Sequence, residues 1–345
     1  MKAWKLEGHH LEEAEVPVGR LLPGWVRTRV AAVGICGSDV IKIMGPELPA
    51  WHTRILGHEF IGQVVQGDAD GAWSPGDTVV AMPLVPCGHC AACLAAREHL
   101  CAGFQSIGRT LPGAFGHLVD VPAGNLFRIP SGDPGLAYAL ADPLAVCLHA
   151  IHLARIGDAR GRCAVVGDGT IGCLLAWALR HLGRSVSLKA KHDLNAAFAE
   201  RFGIHLLEGD EGEGGFDFVF ETIGRAQANS LHACQRLVGP GGCITVLGTF
   251  EPRFVLPCEL RSLFIRETRL QGANAYRKRD FEAAIGLIRQ FPEPLVRFIS
   301  HRYGWRDLRA AIATMARKSG LVMKVVVLNE PEGAPESPHP CKPSC

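Results

Sequence analysis

The sequence predicts an α/β protein of two domains, one β-rich and one built on a doubly wound parallel sheet. Three observations carry that reading. The chain has 345 residues, enough for two domains at roughly 100–200 residues each. Residues 1–150 are rich in Gly, Pro and short β-type runs, and from Gly161 the texture changes to strand, glycine turn, helix. Gly167-Asp168-Gly169-Thr170-Ile171-Gly172 marks the first of those turns.

The N-terminus, MKAWKLEGHHLEE, lacks the apolar core of a signal peptide and begins as a strand. Strand-type runs follow at Trp25–Val33, Gly62–Val65 and Thr78–Met82, separated by turn signals such as Pro75-Gly76-Asp77 and Pro112-Gly113. A helix is expected to carry Asp142, Cys147 and His149. Cys163–Val166 is a short strand of the buried type, and Cys173–Leu182 is a helix. Strand Ser185–Lys189, helix Leu194–Phe202 and strands Phe216–Phe220 and Cys243–Leu247 continue the alternation, which indicates a parallel sheet. Beyond Gly272, helices at Arg279–Gln290 and around Trp305–Ala316 and a strand at Val322–Leu328 complete the fold. The expected domains are therefore 1–150 with 273–329, and 151–272. The tail 330–345 holds five prolines and few apolar residues, so disorder is expected there. No internal repeat is visible.

Hydrophobic residues make up 48% and charged residues 20%, with a net charge of +2. Without a Lys/Arg-rich run, this balance argues against nucleic-acid or membrane-surface partners. No apolar stretch approaches the ~20 residues of a membrane helix. A cytoplasmic protein is expected. Its thirteen cysteines cannot all pair and come without an export signal, so a disulfide framework does not explain them.

Cys87, Cys90, Cys93 and Cys101 crowd one loop. Zinc takes four thiolates tetrahedrally, and short spacings let one loop supply them; an iron–sulfur cluster is the rival. A closed thiolate set leaves no open position, which makes this metal structural. Cys36-Gly37-Ser38-Asp39 and Gly57-His58-Glu59, with Asp142-Pro143 further on, form a second candidate set. Thiolate, imidazole and carboxylate together suit a catalytic zinc. The GxGxxG follows a strand and opens a helix, the setting in which glycines let a pyrophosphate approach the backbone. Asp168 within it is tolerable only if its carboxylate points away.

GICGSD, LGHEF, the four-cysteine loop, ADPLAV and VVGDGTIG occur in one order along the chain. In that order the sequence resembles the zinc-dependent medium-chain alcohol dehydrogenases, on the sorbitol, threonine and polyol-phosphate dehydrogenase branch, over residues 1–328. The resemblance implies a GroES-like catalytic domain plus a Rossmann domain, two zinc ions per chain, NAD(P)(H), and a homodimer or homotetramer. Cys36 and His58 match the catalytic zinc ligands, and Glu59 matches the carboxylate that binds or exchanges on that zinc. Ser38 matches the hydroxyl that relays the alcohol proton. Cys87, Cys90, Cys93 and Cys101 match the structural zinc lobe. Gly167, Gly169, Thr170, Ile171 and Gly172 match the dinucleotide turn.

There are departures. Asp142 stands where the branch has the Glu of Glu-Pro-Leu and is shorter by a methylene. The family's Gly-Gly-Phe-Ala-Glu-Tyr reads Gly113-Ala114-Phe115-Gly116-His117-Leu118. The relay histidine after CGSD is replaced by Val40-Ile41-Lys42, leaving the cofactor ribose, His52 or water as proton exits. Trp51, His52, Phe104, Arg109 and Asn274 fall where substrate pockets of this fold are lined. Cys147 is either core or a substitute ligand, and Cys163, Cys173, Cys234, Cys243 and Cys258 are core. Cys341 and Cys345 lie in the tail.

At the end of the second Rossmann strand, where an NAD-binding fold keeps an acid, the register puts Ala190 between Lys189 and Lys191. That leans towards NADP(H), with Asp193 as a rival ribose contact. The implied reaction is hydride transfer between NAD(P) and a secondary alcohol or ketone, in a polyol, polyol phosphate or cyclitol. The alternatives are a reductase of a larger natural-product or tetrapyrrole-like substrate, and a non-catalytic zinc-stabilised nucleotide-binding protein.

Overall fold

The computed structural model describes residues 1–45, 48, 52–68, 71–130, 135–156, 161–209, 211–224, 227–248 and 260–329. Trp51, Cys258 and the tail 330–345 lie outside these. The chain divides into two compact units, Met1–Asp142 with Ile285–Cys345, and Pro143–Ala284. The first division therefore comes after Asp142, in the first turn of the helix Ala141–Ala154, rather than at 150. The second comes inside the helix Lys278–Gln290.

The first unit is built on a seven-stranded sheet. Its order is Ile299–Gly304, Lys324–Leu328, Trp25–Ile35, Glu59–Gln66, Thr78–Ala81 and Leu126–Arg128, with Leu118–Pro122 also pairing Trp25–Ile35. Val26, Val30, Val33, Val325 and Val327 are buried with Phe60 and Phe115 in its core. The strand Ile299–Gly304 is not legible as a strand in ISHRYG, where no clean alternation of apolar and polar residues appears. It forms by parallel pairing with Lys324–Leu328, a contact between distant parts of the chain.

The second unit holds a six-stranded sheet, all parallel, in the order His205–Leu206, Val186–Lys189, Cys163–Val166, Phe216–Glu221, Val238–Val246, Arg269–Gly272. This is the doubly wound order. Its direction reverses between Cys163–Val166 and Phe216–Glu221, and ligands of such sheets bind outside the carboxyl ends of the strands at that switch point. The glycine turn at 167–172 stands there. The helix after it starts at Thr170, earlier than expected, because the turn's last glycine already lies in the helix. Leu136–Ala154 is long and apolar enough by composition to cross a membrane, where the sequence reading expected no such stretch. Most of it is buried within the fold, as in a core helix.

His149 is fully buried, and its Nδ1 lies 2.7 Å from Asp280 Oδ2. The same oxygen accepts the Arg277 N–H at 2.9 Å, closing the start of the helix Lys278–Gln290. Burial pushes the Asp280 carboxyl up, but these bonds hold it below the usual range. A depressed carboxyl stabilises the fold above its unfolded pKa and loses that contribution as pH falls through the folded value. Asp280→Ala is expected to lower unfolding stability by about 2–3 kcal/mol at neutral pH, and by progressively less in acid. Urea titrations at both pH values measure it.

Candidate active site

Cys36 follows the central strand Trp25–Ile35 and caps the helix Gly37–Met44. Its Sγ accepts the Ser38 N–H at 3.5 Å, and Asp39 Oδ2 accepts the Cys36 N–H at 3.1 Å. This reciprocal cap fixes the thiol's direction. The neighbouring strand pairs Glu59 with Gly34, which delivers His58 and Glu59 to the same place. Donor atoms of Cys36, His58 and Glu59 lie within 4.8 Å of one another. The set fits zinc: one soft thiolate, one imidazole and one carboxylate.

Asp39 is fully buried, and its Oδ1 lies 3.5 Å from His58 Nδ1. A carboxylate behind a metal-ligating imidazole orients the ring and raises its basicity. Burial works against a charged His58, yet Asp39 and Cys36 hold its pKa well above the imidazole range.

Glu59 Oε2 accepts the Lys324 Nζ at 2.6 Å, with both residues 3% exposed. Burial pushes the Glu59 carboxyl up, and Lys324 works against that rise. The pair needs Gly34, because a Cβ there would stand 2.5 Å from Glu59 Oε2. Asp142 is not in the three-residue set. Its charge still acts on both Glu59 and Lys324. Ser38 is half-buried in the first turn of the capped helix.

The 113–118 segment acts as a buttress. Gly113, Ala114 and Phe115 donate backbone N–H bonds to Ile55, Gly57 and Leu56. Gly57, just before His58, has φ +86°, and a Cβ on it would meet the Phe115 ring at 2.6 Å. Only glycine tolerates both demands. Further along, His117 packs edge-on against Trp305.

Cys87, Cys90, Cys93 and Cys101 bring four sulfurs within 4.8 Å of one another. Cys90 and Cys93 are 3.5 Å apart, Cys87 and Cys93 3.9 Å. Four thiolates at about 2.3 Å from zinc stand about 3.8 Å apart, so the cradle fits. The His89 and Cys90 N–H groups hold the Cys87 thiol down to about 6, whereas burial pushes Cys93 up to about 12.

The glycine turn fits a diphosphate. Gly167 has φ +116°, and a Cβ on Gly172 would lie 1.8 Å from Gly167 O. A Cβ on Gly169 would meet open space. The helix Thr170–His181 opens directly after Gly169 with no side-chain cap, the setting in which a helix N-terminus can take an anion. Asp168 turns its carboxylate away, as the sequence required, onto the backbone of Lys191 and His192. Ala190 is half-buried beside them, while Lys191 and Asp193 are exposed.

Cys147 is fully buried, donates to Ile171 O at 3.5 Å, and is a core residue. Cys163, Cys173, Cys234 and Cys243 are likewise buried. His52 is buried with its ring on Thr53 O, Arg109 lies 5.5 Å over Phe104, and Asn274 is exposed.

Residues 22–131 match the alcohol dehydrogenase GroES-like domain. The chain is similar to a 2-dehydro-3-deoxy-L-galactonate 5-dehydrogenase of Pseudoalteromonas atlantica, at 31% identity over 305 residues, covering 85% of this chain and 88% of that one. It belongs to the zinc-dependent medium-chain alcohol dehydrogenases. Within this family it is also similar to a D-altritol 5-dehydrogenase of Agrobacterium fabrum, at 31% identity over 84% of this chain and 88% of that one. Galactitol-1-phosphate dehydrogenase of Escherichia coli matches in structure with a TM-score of 0.84 and 25% identity, over 95% of this chain and all of that one. A Sinorhizobium meliloti chain crystallised with NADP matches with a TM-score of 0.85 and 28% identity, over 95% and 98%.

Gly34 and Lys324 stand behind the dehydrogenase's ligand set without having been singled out from the sequence, and Asp39 was named there only as part of Cys36-Gly37-Ser38-Asp39, with no role of its own. Gly34 carried a signal, since a glycine inside an apolar strand marks a close approach. Asp39 carried one in its spacing from the capping Cys36. Lys324 carried none beyond a cation at the head of the run KVVVL.

Proposed function

We propose that this dehydrogenase interconverts a secondary alcohol and a ketone in a polyol, sugar acid or polyol phosphate, with NAD(P)(H) as hydride carrier. The observation that carries the reading is the donor set of Cys36, His58 and Glu59, backed by Asp39 and Lys324. When bound there, zinc supplies Lewis acidity, which lowers the alcohol's pKa. Asp39 orients His58, and Lys324 holds Glu59 in its buried position. Ser38 passes the alcohol proton outward from the first turn of its helix. Asp142 tunes the Glu59–Lys324 pair electrostatically. Gly167, Gly169, Thr170, Ile171 and Gly172 seat the diphosphate. Cys87, Cys90, Cys93 and Cys101 hold a structural zinc.

None of the ten described cysteines is in a disulfide, which supports a reducing, cytoplasmic setting. Arg269–Gly272 is an edge strand of the parallel sheet with Leu270 exposed, which supports assembly into a homodimer or homotetramer; light scattering measures that state.

The deciding experiment is a panel of polyols, polyol phosphates and the matching ketones, assayed at 340 nm with both nicotinamide cofactors on zinc-replete protein. Zinc-dependent turnover of at least one secondary alcohol is the expected result. No turnover across the panel, with two zinc ions bound, would turn the reading towards the non-catalytic alternative.

A further inference from the structure

In a doubly wound sheet the adenosine ribose is read at the end of the second strand, where an acid meets the 2′-hydroxyl or a cation meets a 2′-phosphate. Here that position is Ala190, and the strand Val186–Lys189 contributes no carboxylate. The structure brings one from another place. Asp168 lies between the first two glycines of the turn and is 6% exposed. Its Oδ2 accepts the Lys191 N–H at 3.0 Å and the His192 N–H at 2.7 Å. His192 Nδ1 completes the grip, at 3.0 Å from Oδ2 and 3.2 Å from Oδ1. Successive backbone N–H groups converging on one point form an anion-binding concavity. In this chain the anion is internal.

The flanking lysines do not restore a phosphate site. Lys189 commits its ammonium to Gly209 O at 2.6 Å. Lys191 is exposed, and the N–H that its own backbone could offer a phosphate is already taken by Asp168. A 2′-phosphate would have to displace a buried carboxylate from two N–H donors or sit against its charge, and like charges brought together in a site cost affinity steeply.

We infer that Asp168 is the specificity-determining residue at the ribose end of the cofactor site, replacing the missing strand-end acid and selecting NAD(H) over NADP(H). This rests on the dinucleotide reading of the glycine turn. It revises the lean drawn from sequence, which counted the missing acid and the lysines but not a carboxylate arriving from the turn itself.

The test is equilibrium binding rather than turnover. ADP-ribose and 2′-phospho-ADP-ribose are titrated calorimetrically into the full-length, zinc-loaded protein. The wild type is expected to bind ADP-ribose at least ~10-fold more tightly. Asp168→Asn keeps the shape and removes the charge; it should narrow that ratio by ~10-fold or more, chiefly by tightening the phosphorylated ligand. Lys191→Ala in the wild-type background should change the ratio by less than ~3-fold, as for an exposed cation.

Equal or tighter wild-type binding of the phosphorylated ligand, or an unchanged ratio in Asp168→Asn, would overturn the assignment. If Asp168→Asn fails to fold, Lys191→Ala decides: a large loss of 2′-phospho-ADP-ribose affinity in that variant makes Lys191 the determinant instead. Failure of the wild type to bind either ligand is a different result, because it removes the dinucleotide reading and the inference together.

Discussion

Mild chelation is expected to remove one of two zinc ions per chain and to take essentially all turnover with it. The two sites differ in ways that set this order. Cys87, Cys90, Cys93 and Cys101 close a four-thiolate cage on one loop, and sites of that kind hold zinc by about 10–16 kcal/mol in isolated peptides. The Cys36, His58 and Glu59 set has three donors, and a site with an open position exchanges its metal more readily. Metal analysis before and after brief dialysis against a weak chelator should read two zinc ions, then one, with circular dichroism unchanged. Re-addition of zinc should restore activity. A protein that holds a single tight zinc and is fully active would refute the two-site assignment.

His58→Ala and Glu59→Gln are each expected to lower kcat/KM by roughly a hundredfold or more, since losses of that size follow even from removing groups that only orient metal ligands. Asp142→Glu should keep zinc and activity, or raise activity, because the added methylene brings a carboxylate nearer the set. Loss of zinc in Asp142→Glu with the fold intact would show that the Glu-Pro-Leu register does not apply to this chain. Lys324→Met separates support from ligation. It strips the partner from a buried carboxylate, which costs about 3–5 kcal/mol when such a pair is broken. Thermal unfolding should register the loss, and Lys324→Arg should recover part of it by restoring a cation to the pair.

Much of the chemistry was legible before any fold was known. The four-cysteine loop could be read because its ligands are local, with spacing alone bringing the thiols together. The glycine turn could be read because a strand before it and a helix after it give GxGxxG its meaning. The helix Lys278–Gln290 was visible through its helical period, and Cys163–Val166 as a short apolar run standing just before the glycine turn. The helix Gln227–Leu237 and the strand Arg269–Gly272 were not. QANSLHACQRL offers only a narrow stripe, Leu231, Cys234 and Leu237, among polar and small residues, and RLQG is too short to show any period.

The sequence by itself determined the fold class, the four-cysteine cluster and the glycine turn between strand and helix, because each is written in neighbouring residues. Cys36, His58 and Glu59 it offered only as separate motifs, which strand pairing brings together. Only the tertiary structure decided what stands behind them. Lys324 reaches Glu59 because the strand Lys324–Leu328 returns to pair with Trp25–Ile35. That pairing also packs the ion pair against Gly34, whose missing Cβ leaves room for it. Asp168 meets the Lys191 and His192 backbone because parallel pairing sets the ends of Cys163–Val166 and Val186–Lys189 side by side. A carboxylate's role depends on which N–H groups or cations surround it. Chain topology fixes those neighbours across long sequence separations, so residue spacing cannot express them.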